Sequence, residues 1–172
     1  KTYVSKILSK ISGEYFKNYE INKIIRNSNG VKIYYGSESE FFTYDKVVLA
    51  SHADESLKII SDISDKEKEI LSNFKYKPNK AVIHSDESVM PKNKNAWCSW
   101  NSSLSPDNNE NSSVTYWLNQ LQNLKIDKNI FLTINPFYEI DQNKVFNEIS
   151  FTHPYYDENA LQNQTNLKSI QN

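Results

Sequence analysis

One cysteine and three glycines in 172 residues set the first limits. A lone Cys98 excludes an internal disulfide and every structural zinc pattern built on paired cysteines. It suits a reduced, cytoplasmic setting. The glycines, Gly13, Gly30 and Gly36, have the spacing of neither a dinucleotide fingerprint nor a P-loop. The chain by itself therefore lacks the usual cradle for a pyrophosphate. No apolar run approaches the ~18 residues that cross a bilayer as a helix, and no signal peptide opens the chain. Neither charge sign is in surplus: 20 basic and 21 acidic residues leave a net charge of −1. The lysines are scattered, so the concentrated basic face of a nucleic-acid binder is missing. Without a GxSxG elbow, a hydrolytic triad has no support. His52, His84 and His153 lie far apart, and no metal site is expected from them.

What the chain has in plenty is aromatic residues: 11 Tyr, 8 Phe and 3 Trp. Large rings can build a core in an otherwise polar sequence, and the length suits one domain or a large piece of one. Val4, Ile7, Leu8 and Ile11 fall at helical spacing, with Gly13 as a stop. YEINKIIRNSNGVKIYYG reads as a hairpin about Asn29-Gly30. Val47 to Ala50 is a short continuous apolar run, expected as a strand buried on both faces. ADESLKIIS reads as a helix with acidic residues in its first turn. Ser64 and Glu67 form a capping-box pattern before a second helix. After Pro78 come five strand-like stretches, KAVIHSD, AWCSWNS, SVTYWLN, NIFLTIN and KVFNEISFTH. LQNLK suggests a helical turn, and a closing helix over 158–171 should turn Leu161, Leu167 and Ile170 inward. Residues 105–112, SPDNNENS, are the candidate mobile loop. The class is α+β: a mostly antiparallel sheet with flanking helices, preceded by a helix-hairpin-strand piece.

The aromatic strands carry the functional signal. In AWCSWN, strand alternation would put Ala96, Cys98 and Trp100 on one face and Trp97 and Ser99 on the other. Tyr116 and Trp117 would divide likewise. One ring of each pair can enter the core; the other must cover a helix, line a cavity or meet a partner. Asn101, Asn119 and His153 are polar groups that such a pocket could use. Cys98, between two tryptophans, reads as a buried structural thiol.

These stretches resemble a known family. YEINKIIRNSNGVKIYYGSESEFFTYDKVVLASHADESLKII resembles a segment of flavin-containing amine oxidases in which a hairpin, a DxVVLA strand and a helix complete the FAD-binding domain. KPNKAVIHSD, MPKNKNAWCSWN, VTYWLNQLQ, LTINP and FTHPYYD are similar to bacterial predicted NAD/FAD-binding oxidoreductases of the same superfamily. The likeness runs over essentially the whole chain. It implies a middle fragment: residues 1–62 as part of an FAD-binding domain, residues 63–172 as the substrate-binding domain. The family's opening GxGxxG and closing Gly-rich segment are both missing from this sequence. Those parts, the remaining FAD-binding halves of the same polypeptide, are the implied partners, and the chain alone should be inactive.

By the same resemblance, Ile21, placed by its spacing to Gly30-Val31, packs near the FAD adenine. Ala50, Ser51 and His52 form the turn beside the cofactor, although His52 departs from the wider amine oxidases. Trp100, Asn101, Tyr116, Trp117 and His153 would line the cavity for a small or apolar substrate. No catalytic residue is assigned; Lys80 matches the family's water-holding lysine by position only. The implied activity is an FAD-dependent oxidation by hydride transfer. Two rival readings need no cofactor: a stand-alone module that binds a small molecule or lipid, and a protein-interaction domain.

Overall fold

Between Asn27 and Gly30 the chain reverses on itself. The Asn27 side chain accepts a hydrogen bond from the Asn29 N–H at 2.8 Å, which pre-forms the turn. Gly30 follows at φ 118°. A side chain there would run into the Tyr44 carbonyl, so glycine is required twice over. Of the Asn29-Gly30 pair only the glycine takes a positive φ. The computed structural model that shows this describes residues 2–37, 39–107 and 112–171. Residues 108–111 of the candidate mobile loop lie outside the described ones.

The chain divides into two compact units, Lys1–Lys75 with Tyr156–Asn172, and Tyr76–Tyr155. In the first unit, helix α1 (Thr2–Leu8) precedes strands β1 (Ile21–Asn27), β2 (Gly30–Tyr35) and β3 (Phe41–Tyr44). The strands form an antiparallel sheet in the order β1-β2-β3. Helices α2 (Ala53–Ile59) and α3 (Asp65–Leu71) follow. α3 starts with the expected capping box: Ser64 Oγ accepts from the Glu67 N–H at 3.2 Å, and Glu67 Oε2 accepts from the Ser64 N–H at 2.8 Å. The buried core of this unit is Ile24, Val31, Ile60, Ile70 and Ala160. Phe16, Tyr19, Tyr35 and Phe42 add a ring cluster, with Tyr35 and Phe42 stacked at 4.7 Å.

The second unit holds β4 (Lys75–His84) from Tyr76 on, β5 (Trp100–Leu104), β6 (Ser112–Trp117), α4 (Leu118–Leu121), β7 (Phe131–Ile134) and β8 (Val145–Tyr155). The five strands form one sheet in the order β5-β6-β7-β4-β8. Its core is Ala81, Val82, Met90, Phe131 and Ile140, with His84, Asp86, Ser113, Thr115 and Thr133 buried among them. The architecture is α+β with antiparallel sheets, as the sequence pattern implies. α5 (Glu158–Asn163) and a 3-10 segment (Thr165–Ile170) close the chain and belong to the first unit.

Three local expectations fail, each for a physical reason. Val47–Ala50 is not a strand, and Val48 is 91 % exposed. A strand needs neighbours to satisfy its backbone, and among the described residues none flanks this run. In AWCSWN the strand begins only at Trp100. Asn93 accepts from the Asn95 N–H at 3.0 Å and Asn101 Oδ1 from the Cys98 N–H at 3.1 Å, so asparagine side chains fold this stretch into turns. Cys98 is therefore exposed rather than a buried thiol. In the closing helix Leu161 faces solvent, while the small Ala160 is buried, 1 % exposed.

Candidate functional site

Two surfaces gather the residues that the sequence singles out. The first is a cleft of about 520 Å³ in the first unit. Ile21, Ile24 and Ile33 of the hairpin form one wall; Val47 to Ser51 and the α2 residues Glu55, Lys58 and Ile59 form the rest. Three of the four residues picked for the cofactor, Ile21, Ala50 and Ser51, line it together. The fourth, His52, stands beside it as the residue before α2, its N–H donating to Glu55 Oε2 at 3.3 Å. Ser51 Oγ and Ser56 Oγ lie 2.9 Å apart, tying the turn to the helix. Apolar wall predominates, and the polar groups are few.

The second surface is one face of the five-stranded sheet. Register places Trp100 opposite Tyr116, Tyr116 opposite Leu132, and Leu132 opposite Ile83. Val114, Ile134 and Ala81 form the next row on the same face. Trp100 meets Tyr116 edge to face at 5.4 Å. Trp100 is 64 % exposed and Leu104 63 %. An ion pair of 2.9 Å joins Lys80 to Glu148, and Lys77 lies over the Tyr155 ring at 3.6 Å. His153 lies on β8, the outer strand of the sheet, its Nδ1 3.0 Å from the Pro154 carbonyl oxygen.

The other two residues picked for the substrate take the opposite face. Asn101 pairs with Thr115, and its amide donates to the Cys98 carbonyl at 2.6 Å and the Thr115 carbonyl at 3.3 Å. Trp117 donates its indole N–H to Asn129 Oδ1 at 3.0 Å and receives Trp97 edge-on at 5.3 Å. Trp97 also meets Phe131 at 5.8 Å and donates to the Pro91 carbonyl at 2.8 Å. So of the paired indoles Trp97 packs inward and Trp100 faces out. Asn119 is committed too: its side-chain Oδ1 accepts from the Ile130 N–H at 2.7 Å.

Sequence reasoning missed the polar thread on the inner face. His84 Nε2 lies 2.8 Å from Thr133 Oγ1, which lies 2.9 Å from Thr115 Oγ1; Tyr138 OH is 3.3 Å further on. Its signal was present: a threonine at the inward position of both VTYW and LTIN. The ion triad Arg26, Asp62 and Glu67 was missed as well. Arg26 Nε binds Asp62 Oδ2 at 2.7 Å and its terminal nitrogens hold both Glu67 oxygens. Among the described residues, no group of three His, Cys, Asp or Glu side chains is placed to hold a metal ion, and no helix is long and apolar enough to cross a membrane.

No family model and no curated protein matches the chain. A solved structure does: the crystal structure of a CLA-producing fatty acid isomerase from P. acnes, with a TM-score of 0.63. The match covers 99 % of this chain and 44 % of that one, at 14 % sequence identity. What the two share is a fold. The chain thus spans less than half the length of the protein it matches.

Proposed function

We propose that this chain is the substrate-domain part, with a piece of the cofactor domain, of an FAD-dependent oxidoreductase of amine-oxidase-like type. Its apolar sheet face would receive an acyl chain. The observation that carries the reading is that face, where Trp100 is 64 % exposed at the end of a half-buried row of Tyr116, Leu132 and Ile83. Soluble proteins rarely leave such a surface uncovered without a ligand or partner for it. Support comes from the fold shared along 99 % of the chain with a protein whose substrate is a fatty acid. The boundary between cofactor and substrate parts at 62/63 belongs to this proposal, as does a cytoplasmic setting.

The cleft fits part of the cofactor. Its isoleucine and valine walls suit the flat face of a heteroaromatic ring, and Ile21, Ala50 and Ser51 would hold that ring's edge. The pyrophosphate is not provided for, because Gly13, Gly30 and Gly36 make no phosphate loop. That duty falls to the remaining halves of the same polypeptide, which would also cover Val48 and Leu49. When bound, FAD supplies a two-electron acceptor for hydride. The residues of this chain bind and orient: Trp100 and Tyr116 offer ring faces to an acyl chain, and the aliphatic row excludes water. His153, on the outer strand β8, stays a proposed contact for a polar group of the substrate.

Titration of the chain with oleate below its micelle concentration, followed by tryptophan fluorescence, tests the proposed face. A saturable change that Trp100→Ala removes is expected. No saturable change, or one that survives Trp100→Ala, would overturn the acyl-chain reading.

A further inference from the structure

We infer that the open edge of β8 is an interface between two copies of this chain, paired antiparallel about Ser150. The inference stands apart from the proposed function. β8 runs for 11 residues, about twice the usual strand length. It is the outer strand of its sheet, with β4 on one side and, among the described residues, no strand on the other. Residues 146–153 are exposed throughout, and Phe146, Ile149 and Phe151 are 51 %, 47 % and 38 % exposed.

Such an edge is a template for another strand unless the protein guards it. The usual guards are weak here. β8 carries no lysine or arginine, and its proline, Pro154, comes only at the penultimate position. From neighbouring segments Lys128 covers Phe146 at 4.8 Å, Lys77 covers Tyr155 at 3.6 Å and Lys80 pairs with Glu148 at 2.9 Å, none of them on β8 itself.

The strand is also complementary to itself. In an antiparallel pair centred on Ser150, residue numbers across the interface sum to a constant. Ile149 then meets Phe151 of the second copy, and the contact occurs twice by symmetry. Asn147 meets His153. Glu148, the one acidic residue of β8, meets Thr152 rather than its own copy, so no like charges oppose each other. This register uses the strand's full length, and shifting the centre by one residue puts Asn147 against Phe151. The result would be a continuous sheet of ten strands in which the two apolar faces adjoin.

Cysteine cross-linking in a Cys98→Ser background tests the register itself. Across the two-fold axis the Cα atoms of the two Ser150 residues would be about 4.5–5.5 Å apart, within disulfide reach. The two Asn147 residues would be roughly 20 Å apart along the strand. Both side chains are exposed, so the substitutions should be tolerated. Under mild copper-phenanthroline oxidation, Ser150→Cys should convert to a covalent dimer at least tenfold faster than Asn147→Cys. Sedimentation velocity of the unmodified chain should show a concentration-dependent dimer. Equal cross-linking at the two positions, or a monomer at all concentrations, would overturn the inference.

Discussion

His84 and Thr133 touch in the buried centre of the five-stranded sheet, Nε2 to Oγ1 at 2.8 Å, with neither residue exposed. The other ring nitrogen, Nδ1, accepts from the Asp86 N–H at 3.1 Å. An acceptor at Nδ1 leaves the proton on Nε2, so the imidazole is neutral and donates to the threonine. A second proton would point at the Asp86 N–H. Burial pushes the His84 pKa down, against a smaller upward pull from the Asp86 carboxylate.

The pH dependence of stability follows. The unfolded histidine titrates near its ordinary value of about 6.5 and the folded one below it. The unfolded state therefore takes up the proton first as pH falls, and stability drops from about pH 6.5 downward. Thermal midpoints read between pH 8 and pH 5.5 should fall over the lower half of that range. His84→Gln, which does not titrate, should flatten the slope.

Glu67 acts in the same direction, at lower pH. The Arg26 hydrogen bond, opposed by burial, lowers its pKa to about 2. Its contribution is present above the ordinary carboxylate range and is lost as pH falls toward 2. Arg26 is one-third open to solvent, which limits the energy at stake. Urea denaturation at pH 7 should show Arg26→Gln less stable by about 1–2 kcal/mol. Arg26→Lys should recover little, because an ammonium cannot hold both Glu67 oxygens in a fork.

Trp97 and Trp100 should separate stability from binding. Trp97 is wedged edge-on between Trp117 and Phe131, so Trp97→Ala should cost about 3 kcal/mol. Trp100 makes one ring contact, with Tyr116, and is mostly exposed, so Trp100→Ala should cost under about 1 kcal/mol. Equal costs in urea denaturation would place both indoles in the core.

Much of the fold was legible because its local rules are strong. The hairpin at Asn27–Gly30, the Ser64–Glu67 cap and the strands VTYW and LTIN each follow from short-range chemistry. The failures share one cause, an interaction that pattern cannot weigh. Val47–Leu49 is apolar enough for a buried strand, yet pairing decides strands, and no partner strand lies alongside. Asn93 and Asn101 overrode the β-propensity of AWCSW through side-chain hydrogen bonds. At the candidate site, Ile21, Ala50 and Ser51 do line one cleft, while the substrate picks divide between two sheet faces. That division turns on where the strand starts, and Trp100 rather than Ala96 starts it.

Flavin content of the product of the whole reading frame tests the central claim most directly. The account predicts a yellow protein with flavin absorbance in the visible blue, and FAD released on denaturation. A colourless protein that takes up no FAD on reconstitution would contradict it.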